Sequence, residues 1–268
     1  MKSSKNMKVD RLATMEDGIK GTKEEFLSLF KQLCDTRAEW QVWDDVIAMI
    51  ADTISNSIDK VHYAAREDDY MTRVKNYKNP DIIAMLFANI IEAFEQNPDQ
   101  DYLGSLYQDL GLSSHWRGQF FTPVSVATLM AEINLADAKD KVKEQGYITI
   151  NDPSCGAGAT LIAAASALRR IDGFNYQTSA LFTGNDIDPV VAKMCYIQLS
   201  FLGCPGYVAV ANTLSDPVTG DVLMPTEKDT QDFWYTPMYC SEIWSMRRTF
   251  KKIDYLLRPN RSVEPTGM

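Results

Sequence analysis

The stretch ITINDPSCGAGATLI, residues 148–162, constrains the fold of this chain more than any other segment. A β-rich apolar run leads into a turn with Gly156 and Gly158, and a helical pattern follows at once. Glycines in such a turn permit positive φ and let a ligand approach the backbone, while the helix N-terminus offers free N–H groups. An ordinary strand-to-helix turn has the same pattern, so this segment alone leaves both interpretations open.

The following segments extend the strand–helix alternation. SALFTGNDID predicts a second strand, PVVAKMCYIQLSFLG a helix, and GYVAVANTL a third strand. This order indicates a parallel, doubly wound α/β sheet. In dinucleotide-binding folds an acid at the end of the second strand accepts hydrogen bonds from ribose hydroxyls. Asp186 fits that position, whereas Asp188, directly before Pro189, is better explained as a helix cap.

The composition of the turn narrows the class of ligand. It lacks the third glycine of G-x-G-x-x-G, because Leu161 stands there, and no G-x-x-x-x-G-K-[ST] segment occurs in the chain. No Lys or Arg in the turn is available to meet a pyrophosphate. An adenosine with a zwitterionic amino-acid tail needs less positive charge, and backbone groups and Asp152 are suited to meet it. These features favour S-adenosylmethionine as the cofactor.

The N-terminal part has a different pattern. Thr22 and Glu25 have capping-box spacing, and apolar residues then repeat at helical intervals with no defensible strand pattern. We therefore expect residues 1–20 to be disordered, residues 21–115 to form a helical domain, and residues 116–268 to form the α/β domain.

Three ordered motifs together carry a family resemblance. GQFFTP at residues 118–123, DPSCGAGATLI and GNDIDPVVAKMCYIQLSFLG resemble the adenine-specific (N6) DNA methyltransferases, and most closely the modification subunits of type I restriction systems. The likeness extends from about Asp101 to Pro217. It implies a Rossmann-like S-adenosylmethionine-dependent methyltransferase sheet after a helical domain, with adenine-N6 methylation of DNA as the function.

The resemblance also implies a set of cofactor contacts. In that family the Phe-Thr-Pro corner and the Asp-Pro-x-x-Gly-x-Gly turn hold the cofactor, and an acid at the place of Asp186 binds the ribose. Phe120 and Phe121 are expected to pack over the cofactor, and Thr122 with Pro123 to begin a helix whose N-terminus receives its carboxylate. The predicted cofactor-binding residues are Gln119, Phe120, Phe121, Thr122, Pro123, Asp152, Pro153, Ser154, Cys155, Gly156, Ala157, Gly158, Asn185, Asp186 and Ile187.

The catalytic motif of the family is absent in its usual form. The family uses Asn/Asp/Ser-Pro-Pro-Tyr/Phe to hold the adenine amino group and to stack on the flipped base. No such Pro-Pro segment occurs here, and the nearest match is Thr236-Pro237-Met238-Tyr239, with Thr236, Pro237 and Tyr239 as candidate catalytic residues. The alternative is that these aromatics pack onto the sheet. The part after Pro217 is also short, so an incomplete methyltransferase sheet is expected.

Charge and cysteine content bear on partners and location. The net charge is −9, whereas a protein that holds DNA alone normally has a basic face. A specificity or restriction subunit, or an oligomer of this chain, is therefore expected to supply part of the DNA contact. Five scattered cysteines and two histidines favour reduced thiols and no metal site. No apolar run is long enough to span a membrane, and a cytoplasmic location is expected.

Three functions are consistent with these features. The first is an S-adenosylmethionine-dependent adenine-N6 DNA methyltransferase. The second is a catalytically inactive relative that binds the cofactor and acts as a partner, decoy or regulator of a DNA modification system. A small-molecule methyltransferase is a further alternative, because the cofactor turn does not identify the substrate.

Overall fold

The computed structural model describes residues 20–35, 37–112 and 122–257. A helical region comes first, with α1 Lys23–Leu33, α2 Glu39–Asn56, α3 Tyr63–Val74, α4 Asp81–Gln96 and α5 Tyr102–Asp109. Two further helices, α6 Val124–Asn134 and α7 Ala138–Gln145, lead to the sheet.

The sheet region alternates strands and helices as expected. Its elements are β1 Ile148–Asp152, α8 Ala159–Arg169, α9 Tyr176–Ser179, β2 Ala180–Asp186, α10 Pro189–Phe201, β3 Gly206–Val210, β4 Thr219–Asp221, β5 Met224–Thr226, β6 Asp232–Tyr235, a 3-10 turn Pro237–Cys240 and α11 Glu242–Leu257. The strand order is β1-β2-β3-β6, and β4 pairs with β5 in a separate hairpin.

The three predicted strands are parallel, whereas the fourth is not. β1 pairs with β2 and β2 with β3 in parallel, but β6 pairs with β3 in the antiparallel direction. The strand β6 is not predicted by the sequence pattern. Its short DFWY segment shows no alternation of apolar and polar residues, because Phe233 and Trp234 point to opposite faces and both are buried.

The two faces of the sheet have unequal cores. Ile148, Phe182 and Val208 face the larger core, which also contains α8 and α10 and continues into the N-terminal helices through contacts of α10 with α2. Leu181 and Tyr207 face a smaller core that is closed by α11 and the 3-10 turn. The proposed boundary between residues 21–115 and 116–268 stays a prediction, and the larger core runs across it.

A buried arginine fastens the helical region to the edge of the sheet. Arg66 of α3 bonds the Asp59 carboxylate at 3.1 Å and also donates to the backbone oxygen of Phe233 in β6. Its guanidinium carbon lies 4.0 Å from the centre of the Trp234 ring. A cation over an aromatic face in a site that excludes water is strongly attractive, so this contact fixes β6 against α3.

Two helix N-termini can be compared with their predicted caps: one is as predicted, and the other is shifted by one residue. The Thr22 side chain accepts a hydrogen bond from the Glu25 N–H at 3.2 Å, as the capping-box spacing predicts. At α6 the expected positions shift by one residue, because Pro123 rather than Thr122 occupies the cap position and its carbonyl accepts from Val126 and Ala127.

Two further features concern the helices and the cysteines. Within the residues that the structure describes, no helix combines the length and apolar character that crossing a bilayer requires. The structure pairs none of the five cysteines in a disulfide.

One buried carboxyl group in α2 lacks a compensating partner. Asp52 is almost fully buried, and its Oδ2 has no hydrogen-bond partner among the described residues. Burial and the nearby Asp69 raise the pKa of Asp52 to about 7, against the opposing effect of Lys193 and Arg66. The folded protein therefore favours the neutral acid.

This shift predicts a pH-dependent effect of Asp52→Asn. An unfolded Asp ionises near pH 4, so folding stability supplied by the neutral acid is complete below that pH and is lost as the pH rises through about 7. We expect Asp52→Asn to leave the free energy of unfolding unchanged at pH 4 and to raise it by on the order of 3 kcal/mol at pH 8. Chemical denaturation at the two pH values measures the difference.

The neighbouring Asp45 provides the matched control. Its carboxylate accepts hydrogen bonds from Arg37 at 2.5 Å and from Arg73 at 2.8 Å. Asp45→Asn should lower the free energy of unfolding at pH 8 by about 2 kcal/mol, because Arg37 loses its carboxylate partner, while Arg73 keeps Asp44 and Asp69. Equal effects of the two variants at pH 8 would contradict the burial argument.

Candidate cofactor-binding site

The two glycines of the turn after β1 have different structural roles. Gly156 has φ +52° and Gly158 has φ +100°, so both adopt conformations that favour glycine. A Cβ at Gly158 would lie 2.8 Å from the Sγ of Cys195 in α10, whereas a Cβ at Gly156 would meet no atom within 4 Å. Gly158 therefore permits close packing of the turn against α10, and Gly156 leaves an open surface that a ligand is able to approach.

Asp186 joins this turn to the loop after β2. Its Oδ2 accepts a hydrogen bond from the Gly156 N–H at 2.8 Å, and its Oδ1 accepts from the Asp188 N–H at 2.9 Å. Burial raises the pKa of Asp186, while the N–H groups of Asp188, Gly156 and Ile187 oppose that rise. Each carboxylate oxygen has a second acceptor position, so the group is able to bond a hydroxyl as well as the backbone.

Asp152 stabilises the first part of the turn. Its Oδ1 accepts from the Ser154 N–H at 3.0 Å, and its Oδ2 accepts from the Thr160 hydroxyl. A cavity of about 240 Å³ opens beside it, between α6 and α8, with Asn134 and Asn151 among its polar lining residues. Asp152 thus has both a turn-capping role and a side that faces open space.

Asn185 carries a polar atom that the protein does not satisfy. Its Nδ2 donates to the backbone oxygen of Ala211 at 3.0 Å and to the Thr213 hydroxyl, while its buried Oδ1 has no partner among the described residues. Thr213 in turn donates to the Pro153 carbonyl at 2.6 Å. An unpartnered buried acceptor beside the turn is consistent with a ligand that donates a hydrogen bond there.

Cys155 is a packing residue of the turn. Its N–H bonds the Asn185 carbonyl at 2.9 Å, and its side chain is buried. The hydrogen bond that the Cys155 thiol donates to Cys195, together with burial, raises the pKa of the Cys155 thiol well above its ordinary value. Because the thiolate is the reactive form of cysteine, this residue is unsuited to act as a nucleophile.

Sequence reasoning missed a buried glutamine that supports the turn. Gln198 of α10 donates to the Ala157 carbonyl at 2.8 Å and to the Asp101 carboxylate at 2.8 Å, and it accepts from the Leu103 N–H at 3.0 Å. It therefore connects the turn to the start of α5. No local pattern could have identified Gln198, since its partners are distant in the sequence.

The structure brings most of the predicted cofactor residues together. Asp152–Gly158 and Asn185–Ile187 meet at the carboxyl ends of β1 and β2. Thr122 and Pro123 precede α6, which packs on the helix that follows the turn. Gln119, Phe120 and Phe121 lie outside the described residues, so the packing of those phenylalanines over a cofactor stays a prediction. In the described ranges, no group of three or more His, Cys, Asp or Glu residues is placed to hold a metal ion.

The candidate catalytic residues Thr236 and Tyr239 do not lie beside the glycine turn. The Thr236 hydroxyl donates to the Cys204 carbonyl at 2.7 Å and accepts from the Gly206 N–H at 3.0 Å, at the beginning of β3. The glycine turn after β1 lies near the opposite end of the parallel strands. The Tyr239 hydroxyl donates to the Leu223 carbonyl at 2.7 Å, and its ring is part of the smaller core. This placement matches the alternative in which the aromatics of the segment pack onto the sheet.

Comparison with known families agrees with the motif assignment. A family model for N-6 DNA methylases matches residues 99–261, more than half of the chain. The chain belongs to the N-6 DNA methylase family. The matched range includes α5, the glycine turn after β1, the whole sheet and α11. No curated protein sequence gives a significant match. A closer relationship to type I modification subunits stays a prediction.

The glycine geometry predicts unequal effects of two alanine substitutions. We expect Gly158→Ala to lower the free energy of unfolding by about 2–4 kcal/mol, because positive φ and the clash with Cys195 add. Gly156→Ala should cost only about 1–2 kcal/mol, since φ alone is strained. Denaturant titration measures both, and Cys195→Ala should recover part of the Gly158→Ala loss. Equal losses without recovery would refute the packing role.

The placement of Thr236 predicts a stability effect. Thr236→Val should lower the free energy of unfolding by about 2 kcal/mol, because the Gly206 N–H and the Cys204 carbonyl lose their buried partner. Thr236→Ser keeps the hydroxyl and should retain most of the stability. A catalytic role would instead appear as lost methyl transfer by Thr236→Val with unchanged thermal unfolding.

Proposed function

We propose that this chain binds S-adenosylmethionine at the carboxyl ends of β1 and β2 and takes part in adenine-N6 methylation of DNA. The observation that carries the proposal is the hydrogen bond between the Gly156 N–H and the Asp186 carboxylate at 2.8 Å. It sets an acid beside an open glycine turn where parallel strands end, the usual ligand position in such sheets. Membership in the N-6 DNA methylase family supports the reaction and the substrate class.

The residues around the turn fit the parts of an adenosyl amino acid. Asp186 is suited to accept hydrogen bonds from the ribose hydroxyls through its remaining lone pairs. Ile187, 68% exposed, offers an apolar surface beside it for a purine ring. The N-terminus of α8 favours a carboxylate, because its backbone N–H groups and the helix dipole attract negative charge. Asn185 Oδ1 offers an acceptor for a donor group of the ligand.

These residues would position the reactants without taking part in bond making. When bound, S-adenosylmethionine supplies an electrophilic methyl group. The chain's own contribution is to hold the donor in a fixed orientation at the strand ends, which lowers the entropic part of the barrier. The adenine amino group needs hydrogen-bond acceptors that orient it, and the Thr236–Tyr239 segment does not supply them from its place at the beginning of β3.

The negative charge of the chain favours DNA binding that is shared with a second subunit. With a net charge of −9, the chain as a whole repels the DNA backbone. We therefore propose that a further subunit, of the specificity or restriction kind, supplies the positively charged surface. Such a subunit would also determine the target sequence, because phosphate contacts alone carry no sequence information.

Asp186 and Asp188 provide a matched pair for testing the site. Asp186→Asn should weaken S-adenosylmethionine binding by about 10- to 100-fold, because it removes charge-assisted hydrogen bonds to the ribose. Asp188→Asn should leave affinity nearly unchanged, since the Asp188 side chain caps α10 through the Val190 N–H. Isothermal titration calorimetry measures the affinities, with thermal unfolding as the check on folding.

A labelled-methyl assay on adenine-containing DNA then tests the reaction. We expect transfer in the presence of candidate partner subunits, and its loss in Asp186→Asn. Failure of the unmodified chain to bind the cofactor would contradict the site itself. Binding without labelled DNA, even with partners present, would contradict the proposed methylation and retain the site.

A further inference from the structure

We propose that Gln198 is a positioning residue of the cofactor site, through which the glycine turn after β1 and the start of α5 are coupled. The glycine turn is the segment 152–158, and α5 begins after its cap residue Asp101. Since the ligand of the turn is the S-adenosylmethionine proposed above, the coupling rests on the proposed function. Gln198 acts on that ligand only through the turn.

The side-chain amide of Gln198 joins two distant segments of the chain. Gln198 lies on α10 and is completely buried. Its Nε2 donates to the Ala157 carbonyl of the turn and to the Asp101 carboxylate, both at 2.8 Å. Its Oε1 accepts from the Leu103 N–H at 3.0 Å. The amide has two N–H donors, so each segment receives one of them, and neither segment is able to shift without breaking a buried hydrogen bond.

The bond to Ala157 fixes the peptide unit that leads from the turn into α8. On one side of this unit the Ala157 carbonyl accepts from Gln198, and on the other side the Gly158 N–H donates to the Cys155 carbonyl at 2.8 Å. A peptide unit is planar, so the two bonds together set its orientation. Gly158 is the cap residue of α8, whose first N–H groups are the proposed contact for the cofactor carboxylate. Gln198 therefore helps to set the position of that contact.

The start of α5 is built to hold the Asp101 carboxylate against Gln198. Asp101 Oδ1 also accepts from the Gly104 N–H at 2.9 Å, which caps the helix. A Cβ at position 104 would overlap the Asp101 carboxylate, so glycine is needed for this placement of the side chain. Burial raises the pKa of the Asp101 carboxyl, while the bonds from Gln198 and Gly104 oppose that rise. The carboxylate is thus held by donors from both α5 and α10.

This arrangement has a thermodynamic consequence for ligand binding. A turn that is already fixed loses less conformational freedom when a ligand binds, so the affinity is higher. Bound cofactor would in return restrict the turn, and the restriction reaches the Leu103 N–H because that group shares Gln198 with Ala157. Coupling of this kind acts equally in both directions.

Asn89→Asp is the matched control for Gln198→Glu. Each variant keeps the size and one acceptor oxygen, and each removes an amide donor that serves one carboxylate and one carbonyl. The partners of Asn89 all lie in the helical region: the Glu25 carboxylate at 2.7 Å, the Thr22 carbonyl at 3.3 Å and the Tyr102 hydroxyl at 2.7 Å. At pH 8 we expect similar losses of thermal stability. Only Gln198→Glu should weaken S-adenosylmethionine binding in calorimetric titration, by at least about 10-fold.

Hydrogen exchange of single amides gives a second readout, which a loss of stability alone does not produce. In the unmodified chain, saturating S-adenosylmethionine should slow exchange of the Leu103 N–H by at least about 3-fold, and in Gln198→Glu it should not. Without cofactor, the Gly158 N–H should exchange at least about 3-fold faster in Gln198→Glu than in Asn89→Asp. Gln198→Met, which removes the polar atoms without adding a charge, takes the place of Gln198→Glu should that variant not fold.

The outcomes separate the coupling from the proposed function. Equal affinities of the Gln198→Glu and Asn89→Asp variants, or unchanged Leu103 exchange in a chain that binds the cofactor, would overturn the coupling. An unmodified chain that does not bind S-adenosylmethionine would instead contradict the proposed function and the coupling with it. The exchange of Gly158 without cofactor decides by itself whether Gln198 holds the turn, and equal rates in the two variants would refute that role.

Discussion

The carboxylate of Asp186 is the group on which the geometry of the candidate site depends. It accepts from the N–H groups of Gly156 and Asp188, and so fixes the loops after β1 and β2 relative to each other. This contact requires the parallel register that sets Asp152 beside Gly184, and it requires positive φ at Gly156. The same carboxylate is only partly buried and retains a second acceptor position on each oxygen. The Asp186 side chain therefore both fixes the two loops and provides the proposed contact to the ligand.

The helical region contributes to this site from outside the sheet. Gln198 connects the cofactor turn to the Asp101 carboxylate at the start of α5, and Arg66 connects α3 to β6. Both side chains are buried, so each bond is formed where water does not compete for the donor. The N-terminal helices thus act as a support that holds the turn and the last strand, in addition to burying the larger core.

The unequal faces of the sheet explain two other features. One face is covered by α8, α10 and the N-terminal helices, whereas the other has a small aromatic core under α11. That small core recruits Tyr239 and the buried Thr236 hydroxyl as structural groups. The same thin layer leaves Met246, Phe250 and Leu257 of α11 exposed. A single arrangement of elements accounts for both the buried aromatics and these exposed side chains.

The sequence by itself determined the three parallel strands, the glycine turn, the acid at the end of β2 and the family. The reason is that strand and helix periodicity, glycine conformation and helix capping act over short distances along the chain. It also proposed Thr236 and Tyr239 as catalytic candidates, for which a Thr-Pro-Met-Tyr string was the whole evidence. Only the tertiary structure placed that string at the beginning of β3, paired β6 in the antiparallel direction, and brought Gln198 to Ala157. These outcomes depend on which distant segments share a core, and that choice is made by packing and burial rather than by local pattern.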